Sequence, residues 1–216
     1  MITKLGNITI IRLSDIDSNI YLIGDAIIDT GTGFNYSRLR DAFRILKKDM
    51  KSITQVINTH GHFDHIGGNG YFLNAKIAIH KSDADIVEKA DHELAAADFF
   101  DGKMLPYKVD RILENGDKLN LGPLEVEVVH TPGHTHGSIC LFARKEGLLF
   151  GGDLIFKDGI GRVDFANSDP NLMVDSLEKV KALSVKQVLP GHGEIFDKKT
   201  LDRVVDVSEN YLCTNT

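Results

Sequence analysis

The stretch Asn58-Thr59-His60-Gly61-His62-Phe63-Asp64-His65-Ile66-Gly67-Gly68 decides how this chain is read. Three imidazoles and one carboxylate fall between His60 and His65. The run follows Ile53, Val56 and Ile57, apolar residues that read as a buried strand. In an extended segment the side chains at i and i+2 share a side, so His60 and His62 can aim at one point. For Asp64 and His65 to join them, the chain must bend after Phe63. The Gly67-Gly68 pair supplies freedom at that bend and allows close backbone approach. Four nitrogen and oxygen ligand candidates aimed at one volume suit a borderline metal such as zinc.

Composition sets the frame around this cluster. The chain has 216 residues, 42% hydrophobic and 26% charged, the balance of a globular protein. Residues 1–216 read as one domain, because no linker, low-complexity tract or strict repeat divides them. The net charge of −6 gives no global basic field to attract nucleic acid. No apolar run approaches the length of a membrane span, and Met1 to Gly6 has no apolar leader region. Cys140 and Cys213 are the only cysteines, too few for a disulfide framework. A reducing cytoplasm is therefore the expected setting, with Cys140 as a core thiol.

Strand texture covers Asn7 to Leu13, Asn19 to Ile23 and Ala26 to Asp29, with Gly24-Asp25 as a hairpin turn. The spacing of Leu39, Phe43, Ile45 and Leu46 predicts a helix from Tyr36 to Met50. The strand Ile53 to Asn58 delivers the first cluster, and a short helix is expected from Asp64 toward Phe72. Lys76 to Ile79 reads as a strand, and Ser82 can cap a helix from Asp83 to Ala90. His92 to Lys108 is irregular and apolar, with Phe99, Phe100, Met104 and Leu105. It reads as cover for the core or as a wall over the site. Strands return at Lys118 to Leu121, Leu124 to His130, Ser138 to Ala143, Leu148 to Phe150 and Gln187 to Leu189. Helices are expected from Pro170 to Leu183 and from Lys198 to Leu212. Strands followed by a helix, twice over, predict two packed sheets with helices outside.

Three further ligand-type side chains each follow an apolar strand and a glycine. They are His134 after Thr131-Pro132-Gly133, Asp153 after Phe150-Gly151-Gly152, and His192 after Leu189-Pro190-Gly191. Loops at strand ends are where a sheet scaffold holds its site. With the first cluster these make five histidines and two aspartates, enough for two metal ions. A carboxylate such as Asp153 can bridge two cations.

These motifs resemble those of the metallo-β-lactamase superfamily. His60 to His65 matches its HxHxDH motif, and His134, Asp153 and His192 match its later ligand motifs. The match runs from the first strands to about His192. The resemblance implies an α/β fold, a four-layer αββα sandwich of two mixed β-sheets. It implies that His60, His62 and His134 bind one metal ion, that Asp64, His65 and His192 bind a second, and that Asp153 bridges. Two divalent metal ions are expected, zinc first, with iron or manganese as alternatives.

Asp153 stands where zinc β-lactamases commonly have cysteine, which argues against antibiotic hydrolysis. His62 stands where flavo-diiron proteins have glutamate. Gly151-Gly152-Asp153-Leu154-Ile155-Phe156, followed by Gly161-Arg162-Val163-Asp164-Phe165, resembles the glyoxalase II (hydroxyacylglutathione hydrolase) group, which hydrolyses thioesters. That group carries a C-terminal helical domain that helps bind glutathione, whereas 24 residues follow His192 here. His136 is a further departure from its relatives.

The expected activity is therefore dinuclear, metal-dependent hydrolysis of a thioester. Two cations about 3.5–4 Å apart would hold a bridging hydroxide for attack on the carbonyl. Asp64 would also serve catalysis by orienting that hydroxide and carrying the proton. The alternatives are a mononuclear-iron persulfide (sulfur) dioxygenase using His60, His134 and Asp153, and a lactonase or nucleic-acid processing relative of the same fold. Candidates to face a small-molecule substrate are Arg162, His136, Phe99 and Phe100. The Arg162 fork can hold an anion or pair with Asp164. His130 could orient a ligand, while His80 and His92 read as surface or helix residues. No nucleic acid or membrane partner is expected, and the oligomeric state stays open.

Overall fold

β-Branched and apolar residues of the first half make a seven-stranded sheet. In the computed structural model it consists of β1 (Ile2–Leu5), β2 (Ile8–Ile11), β3 (Ile20–Ile23), β4 (Ala26–Ile28), β5 (Gln55–Ile57), β6 (Lys76–His80) and β7 (Arg111–Leu113), in that spatial order. The first four strands pair antiparallel, and β4 to β7 pair parallel. The second sheet contains β8 (Lys118–Asn120), β9 (Glu125–His130), β10 (Ile139–Ala143) and β11 (Leu148–Gly152). A hairpin of β12 (Ile155–Phe156) and β13 (Gly159–Ile160) follows, and β14 (Gln187–Pro190) and β15 (Phe196–Asp197) complete the sheet. Its spatial order is β15-β14-β11-β10-β9-β8, with β11 and β14 parallel and the other pairs antiparallel. The structure describes the backbone of residues 1–215 and the side chains of residues 1–208. Thr216 and the Cys213 side chain lie outside the described residues.

Among the described residues the α-helices are α1 (Tyr36–Ile45), α2 (Phe63–Ile66), α3 (Ala84–Lys89), α4 (Pro170–Lys181) and α5 (Lys198–Asn215). Period-two alternation settles the layering. On β10, Ile139, Leu141 and Ala143 join Ile8, Tyr21, Ile23 and Ile57 of the first sheet in a core between the sheets. Cys140 and Phe142 point the other way, toward Met173 and Leu177 of α4 and Leu201 of α5. On β3, Ile20 and Leu22 pack with Leu39 and Phe43 of α1. Strands buried on both faces need apolar residues at every position, as Ile-Cys-Leu-Phe-Ala of β10 supplies. The result is the expected αββα sandwich of two mixed sheets. Among the described residues, no helix is long and apolar enough to cross a membrane.

Several boundaries differ from the sequence reading. Helix α1 stops at Ile45 rather than Met50 because Lys47 turns left-handed (φ 52°). The Lys48 and Lys47 amides then bond back to the Phe43 and Arg44 carbonyls, a Schellman closure without the usual glycine. Ser82 does not cap α3. Asp83 holds the cap position, but its side chain makes no capping bond. The edge strands β1 and β7 carry exposed polar residues such as Lys4 and Arg111, so they lack an apolar run to announce them. Gly67 and Gly68 do not supply conformational freedom. Gly67 is right-handed (φ −60°), Gly68 has φ −87°, and a Cβ on either would lie within 2.3 Å of a Thr32 or Thr30 carbonyl oxygen. Close approach is the whole reason for the pair.

Tyr21 joins the two sheets. Its hydroxyl donates to the Pro190 carbonyl at 2.6 Å, and its ring meets Phe150 edge-on at 5.3 Å. Burial holds this hydroxyl protonated, its pKa far above the ordinary phenol value. Tyr21→Phe keeps the ring and removes that bond together with the longer one the hydroxyl accepts from Asn19 Nδ2 (3.4 Å), so stability should fall by about 1–2 kcal/mol. Urea denaturation measures it. An unchanged midpoint would remove the hydroxyl from the account of how β14 is held.

Candidate metal centre

Strand direction brings the ligand-type residues to one edge of the sandwich. β9 and β11 both pair antiparallel with β10, and β14 runs parallel to β11, so these three strands end at the same edge. His134, Asp153 and His192 follow those ends. On the first sheet β5 ends just before His60, and α2 begins at Phe63 with extended His62 at its cap. The turn into α2 carries Asp64 and His65 back to the cluster.

Seven side chains meet there as two groups. Ligand atoms of His60, His62 and His134 form one, and those of Asp64, His65, Asp153 and His192 form the other, each within 4.8 Å of one another. His62 Nδ1 lies 2.8 Å from His134 Nε2, and His192 Nε2 lies 2.9 Å from Asp64 Oδ2. Asp153 spans both groups, with Oδ1 3.2 Å from His65 Nε2 and Oδ2 3.6 Å from His134 Nε2 and 3.7 Å from His192 Nε2. Room for this is made by Gly191, where a Cβ would sit 2.1 Å from Asp153 Oδ1.

The donor set fits metal ions. His60 Nε2, His62 Nε2, His65 Nε2 and Asp153 Oδ1 are buried without a hydrogen-bond partner in the protein, a situation that native structures rarely leave unexplained. Burial, then the neighbouring imidazoles, holds His60 and His62 well below the ordinary histidine range. They are neutral and offer lone pairs, as ligation requires. In the second group burial also opposes charge on His65 and His192, but the carboxylates outweigh it. Asp153, Asp29 and Asp64 hold His65 well above its usual value, and Asp153 and Asp64 raise His192. Burial resists ionisation of Asp153 too, yet His192, His65 and His134 hold it well below the carboxylate range. The field at this end favours positive charge, whether a proton or a cation.

Two residues that the sequence reading did not single out hold the ligands in place. Asp29 directly follows β4 in a left-handed conformation (φ 56°), a strained position for a non-glycine residue. Its carboxylate accepts from the Thr59 amide and hydroxyl at 2.8 Å each and meets His65 Nδ1 at 2.8 Å. Such a contact fixes the ring tautomer and aims Nε2 inward. Asp83 is fully buried. It accepts from the Gly61 amide (2.9 Å), the Thr135 hydroxyl (2.7 Å), the Gly137 amide (2.9 Å) and Asn167 Nδ2 (3.1 Å). It therefore ties the His60–His62 loop to the His134 loop and has no capacity left to cap α3. Burial raises its pKa, with these four donors pulling the other way. The signal for Asp29 was available: like Asp153, it is a carboxylate directly after an apolar strand.

The other candidates lie farther out. Arg162 donates to both oxygens of Asp164 at 2.8 Å, and its guanidinium stacks on Phe165 (4.3 Å) and Phe99 (5.4 Å). Its carbonyl meets His134 Nδ1 at 2.7 Å, so its backbone orients that ring. Phe99 is exposed, and Phe100 packs between Phe99 and Phe63. His136 is exposed, and the structure does not bring it among the ligand atoms. His80 corrects the reading as a surface or helix residue. It ends β6, is 2% exposed and stacks on His130 at 4.0 Å. Burial, then His130, pushes its imidazole down to about 4. His130 Nε2 meets the His136 carbonyl at 2.9 Å rather than a ligand ring. His92 is the half-exposed neighbour of Asp98.

Comparison with known sequences agrees with this geometry. Residues 13–192 match the Metallo-beta-lactamase superfamily. The chain belongs to that superfamily. Its relatives include an acyl-coenzyme A thioesterase MBLAC2 from Gallus gallus, 31% identical over 90% of this chain and 78% of that protein. A hydroxyacylglutathione hydrolase from Rhodospirillum rubrum is 36% identical over 65% of this chain and 48% of that enzyme. Among solved structures, TTHA1623 in a di-iron-bound form superposes with a TM-score of 0.77 at 27% identity, covering 90% of this chain and 97% of that one. The superfamily is one of metallo-hydrolases, and the two groups of side chains above could hold divalent ions.

Asp83 touches no candidate ligand side chain, which makes its role separable. Asp83→Asn places an amide against donors and should weaken metal binding about 10- to 100-fold, the usual cost of losing a group that orients ligands. Competition titration of the folded variant measures it. Wild-type affinity in a folded Asp83→Asn protein would show that the two loops hold their positions without this tie.

Proposed function

We propose that this chain is a two-metal hydrolase of acyl thioesters. The observation that carries the reading is Asp153, whose two oxygens face both ligand groups at 3.2–3.7 Å. In this reading His60, His62 and His134 hold one ion and Asp64, His65 and His192 the other, with Asp153 between them and zinc or iron as the metal. The likeness to an acyl-coenzyme A thioesterase over most of the chain supports the choice of substrate class.

When bound, two divalent cations supply Lewis acidity at the carbonyl and lower the pKa of a water to about 7. The protein's own groups do the rest. Asp29 and the Arg162 carbonyl lock the rings of His65 and His134, so the ligand atoms do not reorganise during reaction. Asp64, buried and 2.9 Å from His192 Nε2, takes the proton released on attack and delivers it to the departing sulfur. A thiolate leaves easily, so a single carboxylate suffices as proton carrier. Phe165 and Phe99 form an apolar rim beside the ligands, with the Arg162 fork occupied by Asp164. That rim suits a small or apolar acyl group more than an anionic one. The intact second group is what favours this reading over a persulfide dioxygenase, which needs only His60, His134 and Asp153.

Purified protein should hydrolyse acyl-coenzyme A thioesters, lose turnover with a chelator and regain it on adding back zinc or iron. Asp64→Asn should lower kcat about 100-fold or more, and His134→Ala should lose both metal and turnover. Three results would count against the proposal: no thioester cleavage by metal-loaded protein, oxygen uptake with glutathione persulfide, or faster cleavage of a chromogenic β-lactam. A preference of 10³-fold or more for S-lactoylglutathione over a simple acyl thioester, roughly 4 kcal/mol of discrimination, would replace the broad substrate class with a glutathione-specific one.

A further inference from the structure

Helix α2 has two faces. Asp64 and His65 belong to the metal centre, while Phe63, Ile66 and Gly67, spaced i, i+3 and i+4, line a separate cavity of about 400 Å³. Phe34, Met104 and Leu105 are among its other walls. Its one charged lining side chain, Lys103, is exposed at the rim. A mostly apolar recess of this volume falls within the range of small-molecule pockets. A row of aromatic rings connects it to the metal centre. Phe165 lies 5.0 Å from His62, Phe99 6.2 Å from Phe165, Phe100 5.2 Å from Phe99, Phe63 6.1 Å from Phe100 and Phe34 5.4 Å from Phe63. At the two ends of the Phe99–Phe34 stretch the rings are open to solvent, 67% and 52% exposed.

We propose that this cavity is the acyl-chain site: a linear aliphatic chain crosses the ring row from the metal centre and ends between Phe63, Met104 and Leu105. The inference rests on the thioester reading and adds what that reading lacks, a place for the chain and a preference for its length. The walls favour an apolar tail, since apart from the Thr32, Tyr71 and Tyr107 hydroxyls the lining side chains are apolar and its one charge, Lys103, is at the exposed rim. The His92–Lys108 stretch contributes to the core and to this cavity. Ala95 and Ala97 cover the core, and Met104 and Leu105 wall the pocket.

The test is a chain-length series from acetyl- to dodecanoyl-coenzyme A, with 1-octanol as a second probe that carries the chain but no thioester. Each methylene entering the pocket should raise kcat/KM about three- to fourfold until the space is full. Saturation-transfer NMR should detect octanol on the metal-loaded protein. Leu105→Glu, at a 55% exposed rim position, should lower the dodecanoyl-to-acetyl ratio of kcat/KM at least tenfold and weaken octanol binding. A ratio within one sample does not depend on how much of the variant is folded. Thioester hydrolysis with no chain-length dependence and no octanol signal would overturn the acyl-chain site and leave the proposed activity standing. Octanol binding that Leu105→Glu weakens, without cleavage of any thioester, would support the site and overturn the activity.

Discussion

Everything at the functional edge depends on hydrogen bonds that cross between two sheets whose strands do not pair with each other. Van der Waals packing between sheets fixes their spacing but leaves loop positions loose by more than metal coordination tolerates. Here backbone and buried polar groups remove that freedom. The Ile139 amide donates to the Thr59 carbonyl at 2.9 Å, and the Asn19 amide donates to the Gly191 carbonyl at 2.6 Å. Asp83 adds four bonds between the His60–His62 and His134 loops. Each joins a segment of the first sheet to one of the second, close to a candidate ligand. A buried carboxylate is costly unless fully satisfied, and Asp83 is retained in the interior because four donors meet it.

The same edge concentrates groups that would repel or go unsatisfied in any other use. Five imidazoles and two carboxylates converge on one site, and four of their polar atoms have no hydrogen-bond partner in the protein. Neutral His60 and His62 stand on one side, and carboxylates that favour positive charge stand on the other. An arrangement with this cost persists when a ligand repays it, and divalent cations match both halves of the pattern.

Much of this was legible in the sequence for a physical reason. Strand alternation and the recurrence of glycine plus a ligand-type side chain after apolar strands depend on local geometry, so they can be read without the fold. The layering followed from strands and helices in two successive sets. What stayed hidden depended on contacts distant in sequence. Asp83 looked like an ordinary helix-start acid, and only the meeting of residues 61, 83, 135, 137 and 167 gives it a purpose. His80 looked exposed because a lone histidine after a strand carries no burial signal, and its partner His130 is 50 positions away. The early end of α1 was invisible because a lysine, not a glycine, takes the left-handed position.

The central claim is that the seven side chains form one two-metal centre. Elemental analysis of the purified protein, before and after reconstitution and dialysis, tests it most directly. The account predicts two tightly held divalent ions per chain, falling to one or none when Asp153 is replaced by alanine. A wild-type protein that retains no metal after reconstitution, or a single iron, would contradict it.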